Sequence, residues 1–74
     1  MSTTATRWTR NAVVARLAAS DAIDHDTVST LRVRAESRLE LLRIMSAVEG
    51  GHLDAASAEA LFETIRTAHL ALSA

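Results

Sequence analysis

The sequence predicts an all-α protein: a small three-helix domain with a long central helix, in which helices two and three form an antiparallel helical hairpin. Three observations predict it. The chain contains no proline and only two glycines, which are adjacent, so Gly50-Gly51 is its one strong internal break. Of its 74 residues 49% are hydrophobic, with a single Trp, a single Phe and no Tyr. Ala and Leu dominate that fraction, a composition that favours helix and offers little for strands and hairpin turns. On either side of the glycine pair the apolar residues recur at the three-and-four spacing of a helix face.

The elements follow in order. Residues 1–8 are rich in Ser and Thr and lack periodicity, which predicts a flexible tail ahead of one helical domain over residues 9–74. Trp8 can fold back from that tail as an anchor. The first helix is expected to start near Thr9 or Asn11, either of which can accept a hydrogen bond from the free amides of a first turn. It should run to about Ala19, with Val13, Val14, Leu17 and Ala18 on its apolar side and Arg16 pointing away. Ser20-Asp21-Ala22-Ile23 then reads as a turn that plugs Ile23 into the core.

The second helix has start signals at Asp24 and Asp26, whose side chains suit an N-cap and whose charge suits the positive end of the helix dipole. Continued to Glu49 it would hold about 24 residues and span roughly 36 Å. Its first half carries Arg32, Arg34 and Arg38, and its second half is nearly all apolar. Leu39, Leu42 and Met45 continue a face begun by Val28, Leu31 and Ala35. Leu41, Ile44 and Val48 form a second face, roughly opposite, and Glu36, Glu40 and Arg43 fill the narrow polar sector. A helix apolar on most of its circumference is covered on more than one side. Glycine closes it, because the left-handed conformation ties off the last carbonyls.

The third helix begins after Leu53-Asp54, with Asp54 as N-cap and Leu53 stapled onto Ala58. Ala58, Leu61, Phe62, Ile65, Ala68 and Leu72 share one face, and Glu63 and Arg66 can pair outside it. The short connection through the glycines reverses the chain into the hairpin.

Size and composition bound the function. A chain this short leaves about 3–5 kcal/mol of net stability, and disulfides, a metal or a partner chain are the usual remedies. There is no cysteine, which removes disulfides and thiolate metal sites. No apolar run is long enough to cross a bilayer. No hydrophobic segment follows the N-terminal Arg residues, so no secretory signal is expected and the cytoplasm is the expected compartment. Net charge is −1. Residues 1–43 hold seven Arg against five acidic residues, and residues 44–74 one Arg against four. That asymmetry permits a polyanionic partner for the first half without demanding one.

Catalysis finds little support. There is no phosphate-binding glycine loop and no serine on a strand-turn-helix elbow, and the carboxylates fall at caps or on exposed faces. No cofactor and no small-molecule substrate are expected. Asp24-His25-Asp26 gathers ligand-type residues, but neighbours at a helix start point in different directions and capping explains both Asp residues. His52 falls in the hairpin loop. His69 shares the apolar face of the third helix with Phe62, Ile65 and Leu72, either as a hydrogen-bonded histidine at the edge of the core or as a polar contact in a protein interface.

Leu17-Ala18-Ala19-Ser20-Asp21-Ala22-Ile23-Asp24-His25-Asp26-Thr27-Val28-Ser29-Thr30-Leu31 resembles the helix-turn-helix of the lactose-repressor family. Ala18 falls on that motif's small first-helix position and Ala22 on its turn glycine. Ile23, Val28 and Leu31 take its apolar positions, and Thr27-Val28-Ser29 matches its usual Thr-Val-Ser. The resemblance implies DNA binding through Thr27, Ser29, Arg32 and Arg34. Ala22 and Asp21 depart from the pattern, and Asp21, Asp24 and Asp26 would set negative charge toward the phosphates. Arg38-Leu39-Glu40-Leu41-Leu42-Arg43-Ile44-Met45 with Gly50-Gly51-His52-Leu53 looks like the opening of winged-helix regulators, without their recognition helix or wing.

The stronger expectation comes from the surplus apolar face of the central helix. A short first helix offering only Val13, Val14 and Leu17 cannot cover the whole of the face that the third helix leaves bare. Such an uncovered row marks a protein–protein interface, here assigned to Leu41, Ile44, Met45, Val48 and His69. The expected protein is a non-enzymatic regulator that self-associates, as a homodimer, or docks as an inhibitor or adaptor on a protein target. A helix-turn-helix transcriptional regulator is the alternative.

Overall fold

The computed structural model describes residues 7–73, with side chains as far as Ala71. Three helices follow one another: α1 (Arg10–His25), α2 (Leu31–Glu49) and α3 (Ala55–Ser73). The described residues contain no strand. Most of the expected tail lies outside them. Trp8 lies inside, half-buried, its ring stacked on Phe62 at a centroid distance of 6.2 Å. The Arg16 guanidinium sits 4.9 Å from the centre of the same Trp8 ring.

α1 starts as expected, with the Thr9 hydroxyl accepting a hydrogen bond from the Ala12 amide at 3.1 Å. It does not stop at Ala19. The turn expected over Ser20–Ile23 is helical, and α1 continues to His25. The inward row explains why: Ala12, Ala15, Ala19 and Ala22 keep the three-and-four spacing across Ser20-Asp21, with Ile23 buried beside them. Burial of that row outweighs the modest helix preference of Ser and Asp, whose side chains compete for the backbone only weakly when they face outward. The expected apolar side is also corrected. Val14 and Leu17 are exposed, and alanines take the core face instead.

α2 is correspondingly shorter than expected. Its N-cap is Thr30, whose hydroxyl accepts from the Val33 amide at 3.2 Å, and neither Asp24 nor Asp26 starts the helix. At 19 residues it matches α3 and is not a distinctively long central helix. Asp26 organises the link before it. Its Oδ1 accepts from the amides of Val28 and Ser29, each at 2.9 Å, a side-chain mimic of a backbone turn.

The other end of α2 follows the glycine rule. Gly51 adopts φ +78°. The His52 amide reaches back to the Ala47 carbonyl at 2.8 Å, and the Gly51 amide to Val48 at 3.1 Å. These are the two bonds of a Schellman closure. α3 then begins with the Ala58 amide bonded to the Asp54 carbonyl at 3.0 Å.

Four pairings give the directions. Asp24 pairs with Arg38 and Arg7 lies beside Gly51, so α2 runs back along α1. Trp8 meets Phe62 and Asp26 meets His69, so α3 runs parallel to α1. The most extensive contact is between α1 and α3, and α2 meets each of them over less surface. The second and third helices are therefore antiparallel, as expected, but packing centres on the first and third helices. Alanine at Ala12, Ala15, Ala19 and Ala58 lets those two backbones approach closely, because no longer side chain holds them apart. Ile23, Leu41, Ile44, Val48 and Phe62 fill the remainder, with Met45, Leu53 and Ile65 against them.

Candidate functional site

The apolar row assigned to a partner turns out to be the inward one. Leu41, Ile44 and Val48 are buried in the core, Met45 is half-buried against it, and His69 is buried among polar partners. The expectation of an uncovered face there assumed a short first helix. The observed α1 extends to His25 and, with α3, covers that row completely.

The opposite row is the one left open. Leu31 is 75% exposed, Leu39 52% and Leu42 57%, and Val28 in the preceding link is 61% exposed. Ala35 and Ser46 complete the row and are exposed as well. Across the α1–α2 seam it continues onto Leu17, 58% exposed. The seam itself is a groove of about 370 Å³ lined by Leu17, Leu41, Leu42 and Met45, with Arg16, Ser20 and Arg38 on its polar margin. Arg38 is held there by its ion pair with Asp24. Charged residues border the far side of the row: Arg32 and Glu36 pair at 3.5 Å, and Arg43 pairs with Glu40 at 3.5 Å. Exposed pairs of this kind contribute about 0–1 kcal/mol, so they are free to exchange partners.

The four residues of the DNA-binding alternative are not gathered on one surface. Thr27 and Arg32 are exposed, whereas Ser29 and Arg34 are half-buried. The Ser29 amide is committed to Asp26 and the Arg34 Nε is enclosed by protein. The position matched to the turn glycine, Ala22, is buried within α1, so the observed link at 26–30 falls several residues after the turn of the resembled motif. The Asp24-His25-Asp26 run also disperses. Asp24 pairs with Arg38, the His25 ring donates from Nδ1 to the Asp21 carbonyl at 2.9 Å, and Asp26 turns inward. Asp21 holds the His25 pKa above its ordinary value, chiefly through that carbonyl and then through its carboxylate charge.

One constellation was not foreseen as a unit. Asp26 and His69 are buried, at 0% and 3% exposure, and with half-buried Ser37 they form a hydrogen-bonded chain across all three elements. His69 Nδ1 donates to Asp26 Oδ2 at 2.6 Å, and His69 Nε2 meets Ser37 Oγ at 2.8 Å. The Ser29 side chain leads in holding the Asp26 carboxyl well below the usual carboxylate range, followed by the Ser29 amide, with His69 and the Val28 amide adding to it against the opposing effect of burial. The Ser29 hydroxyl lies against the carboxylate without completing a hydrogen bond of ordinary geometry. The periodicity carried a signal for this chain. Asp26 extends the row Ala12, Ala15, Ala19 and Ala22, Ser37 precedes Leu41, Ile44 and Val48, and His69 follows Ala58, Phe62 and Ile65, each at helical spacing.

The connectivity is that of a serine nucleophile, a histidine base and an orienting aspartate. Its setting differs from a nucleophile's. Ser37 lies within α2, where the neighbouring amides belong to the helix's own bonds, so among the described residues no pair of free helix amides beside it faces Oγ to receive an oxyanion. Enclosure of the base and the aspartate makes the chain a polar clasp that ties the ends of α1 and α3 to the first half of α2. No family model, curated protein or solved structure compared with this chain matches it significantly.

Proposed function

We propose that the protein acts by non-covalent docking of a protein partner on the outer apolar row of α2, as a regulator without catalytic chemistry of its own. The observation that carries this reading is the continuity of the row: Leu31, Leu39, Leu42 and Leu17 are each more than half exposed, and Leu42 and Leu17 line one groove between α1 and α2. Scattered apolar residues are ordinary on a protein surface, whereas a contiguous patch rimmed by charge marks an interaction site. The proposed setting is the cytoplasm. No described helix is long and apolar enough to cross a membrane. The DNA-binding alternative is not carried forward, because no observation draws Thr27, Ser29, Arg32 and Arg34 into one phosphate-facing surface.

The test is a pair of substitutions read by circular dichroism and by binding. Leu39→Glu should keep the helical spectrum and the melting temperature while abolishing association with whatever the protein binds, itself or another chain. If Leu39→Glu and Leu42→Glu both leave every association unchanged, the outer row is not the docking surface and the proposal fails.

A further inference from the structure

Resting on that docking role, we infer that the occupant of the outer row is a second copy of this chain, with the two α2 helices crossing antiparallel about a two-fold axis near Leu39. The row runs Leu31, Ala35, Leu39, Leu42, Ser46 along the exposed side of α2. Placed against its own reversed copy, Leu31 of one protomer meets Ser46 of its partner, Ala35 meets Leu42, and the two Leu39 side chains meet near the axis. Each contact away from the axis sets a large residue against a small one, which interdigitates at native density. A parallel copy would instead set Leu31 on Leu31 and Ser46 on Ser46.

On the far side of the row the charges obey the same symmetry. In the reversed arrangement Glu36 comes opposite Arg43 of the partner, and Arg43 opposite the partner's Glu36, giving two equivalent ion pairs. Both side chains are exposed and held only by weak pairs to Arg32 and Glu40 on their own helix. An unrelated protein has no reason to match a surface that is complementary to its own reversal.

The exposed area points the same way. Val28, Leu31, Leu39, Leu42 and Leu17 together expose the equivalent of about three whole aliphatic side chains, on the order of 300 Å² of apolar surface per copy. With the Arg and Glu border this approaches the roughly 600 Å² per partner at the lower end of stable interfaces. It also supplies the partner chain that a domain of this length commonly uses for stability.

The chain has no cysteine, so single cysteines report the arrangement on the whole 74-residue chain. Leu39→Cys should form a disulfide-linked dimer under mild oxidation. Leu31→Cys alone should not, because the reversed pairing separates its two copies by about 15 residues of helix, roughly 22 Å, far beyond disulfide reach. Mixing Leu31→Cys with Ser46→Cys should give the crossed dimer. In sedimentation equilibrium Glu36→Arg and Arg43→Glu should each weaken dimerisation about tenfold or more, and the double variant should restore it. Self-crosslinking of Leu31→Cys in preference to Leu39→Cys would overturn the antiparallel arrangement. A wild type that stays monomeric at several hundred micromolar and low salt would overturn self-pairing. If that monomer still binds a purified partner and loses it in Leu39→Glu, only the identity of the occupant is wrong. If no association of any kind responds to Leu39→Glu, the docking role itself falls.

Discussion

Replacing His69 by Leu removes the centre of the buried clasp while keeping a side chain of adequate bulk in the gap. Asp26 Oδ2 and Ser37 Oγ then face a group that cannot bond to them. Asp26 keeps its Oδ1 bonds to the Val28 and Ser29 amides, which limits the loss. A hydrogen bond to a charged group contributes about 1.5–3 kcal/mol, and breaking a buried pair by removing one partner costs about 3–5 kcal/mol. A value of about 3 kcal/mol follows for His69→Leu, comparable to the whole net stability of a domain this size. At 4–8 °C per kcal/mol the midpoint should fall by about 12–24 °C, measured by far-ultraviolet circular dichroism at neutral pH. Ser37→Ala removes a single half-buried bond and should cost only about 0.5–1 kcal/mol. A His69→Leu protein melting within about 3 °C of wild type, or a Ser37→Ala protein as unstable as His69→Leu, would refute the clasp as a stabilising element.

Three further outcomes are expected. Ile44→Glu should abolish the cooperative melt, since it sets an unpaired carboxylate among Leu41, Val48 and Phe62, whereas Leu39→Glu should stay within about 0.5 kcal/mol of wild type in chemical denaturation. Asp26 has a carboxyl pKa that folding lowers, so its contribution is fully present above the unfolded value near 4 and is lost as pH falls below it. Acid titration of stability should therefore show a decline setting in near pH 4, and Asp26→Asn should remove that part of the slope while lowering stability at neutral pH. Gly51→Ala forces a side chain into φ +78° against the Arg7 guanidinium and should cost about 1–2 kcal/mol in the same denaturation assay.

The helical class, the Thr9 start and the Gly50-Gly51 stop could be read from residues alone because each is a local effect. A hydroxyl caps amides three residues on, and a glycine tolerates positive φ wherever it stands. The extent of α1 could not. Ser20 and Asp21 resemble a turn locally, and only the alanine row shared with α3 shows why the helix continues through them. Reading Val13, Val14 and Leu17 as the core side weighted hydrophobicity above size, whereas α1 and α3 pack through the smallest side chains. Asp26 reads locally as an N-cap of α2, whereas it ends α1 and binds the amides of Val28 and Ser29 in the link. Its second role required knowing that His69, 43 residues away, would arrive beside it.

The same long-range contact decides which side of α2 faces outward. Leu31, Leu39 and Leu42 are as apolar as Leu41, Ile44 and Val48, so hydrophobicity cannot rank the two rows. The polar residue that extends each one can. Ser37 continues the row of Leu41, Ile44 and Val48, and turning that row inward delivers its hydroxyl to His69. Turning the other row inward would rotate Ser37 toward solvent, leave His69 Nε2 enclosed without it, and bury the edge that carries Arg32 and Arg43. A buried polar group without its partner costs about 1–3 kcal/mol, and burying either arginine costs more. The clasp therefore discriminates between two otherwise equivalent registers of α2. The exposed leucine row is what remains once that choice is made, which is why the clasp and the proposed docking surface lie on opposite sides of one helix.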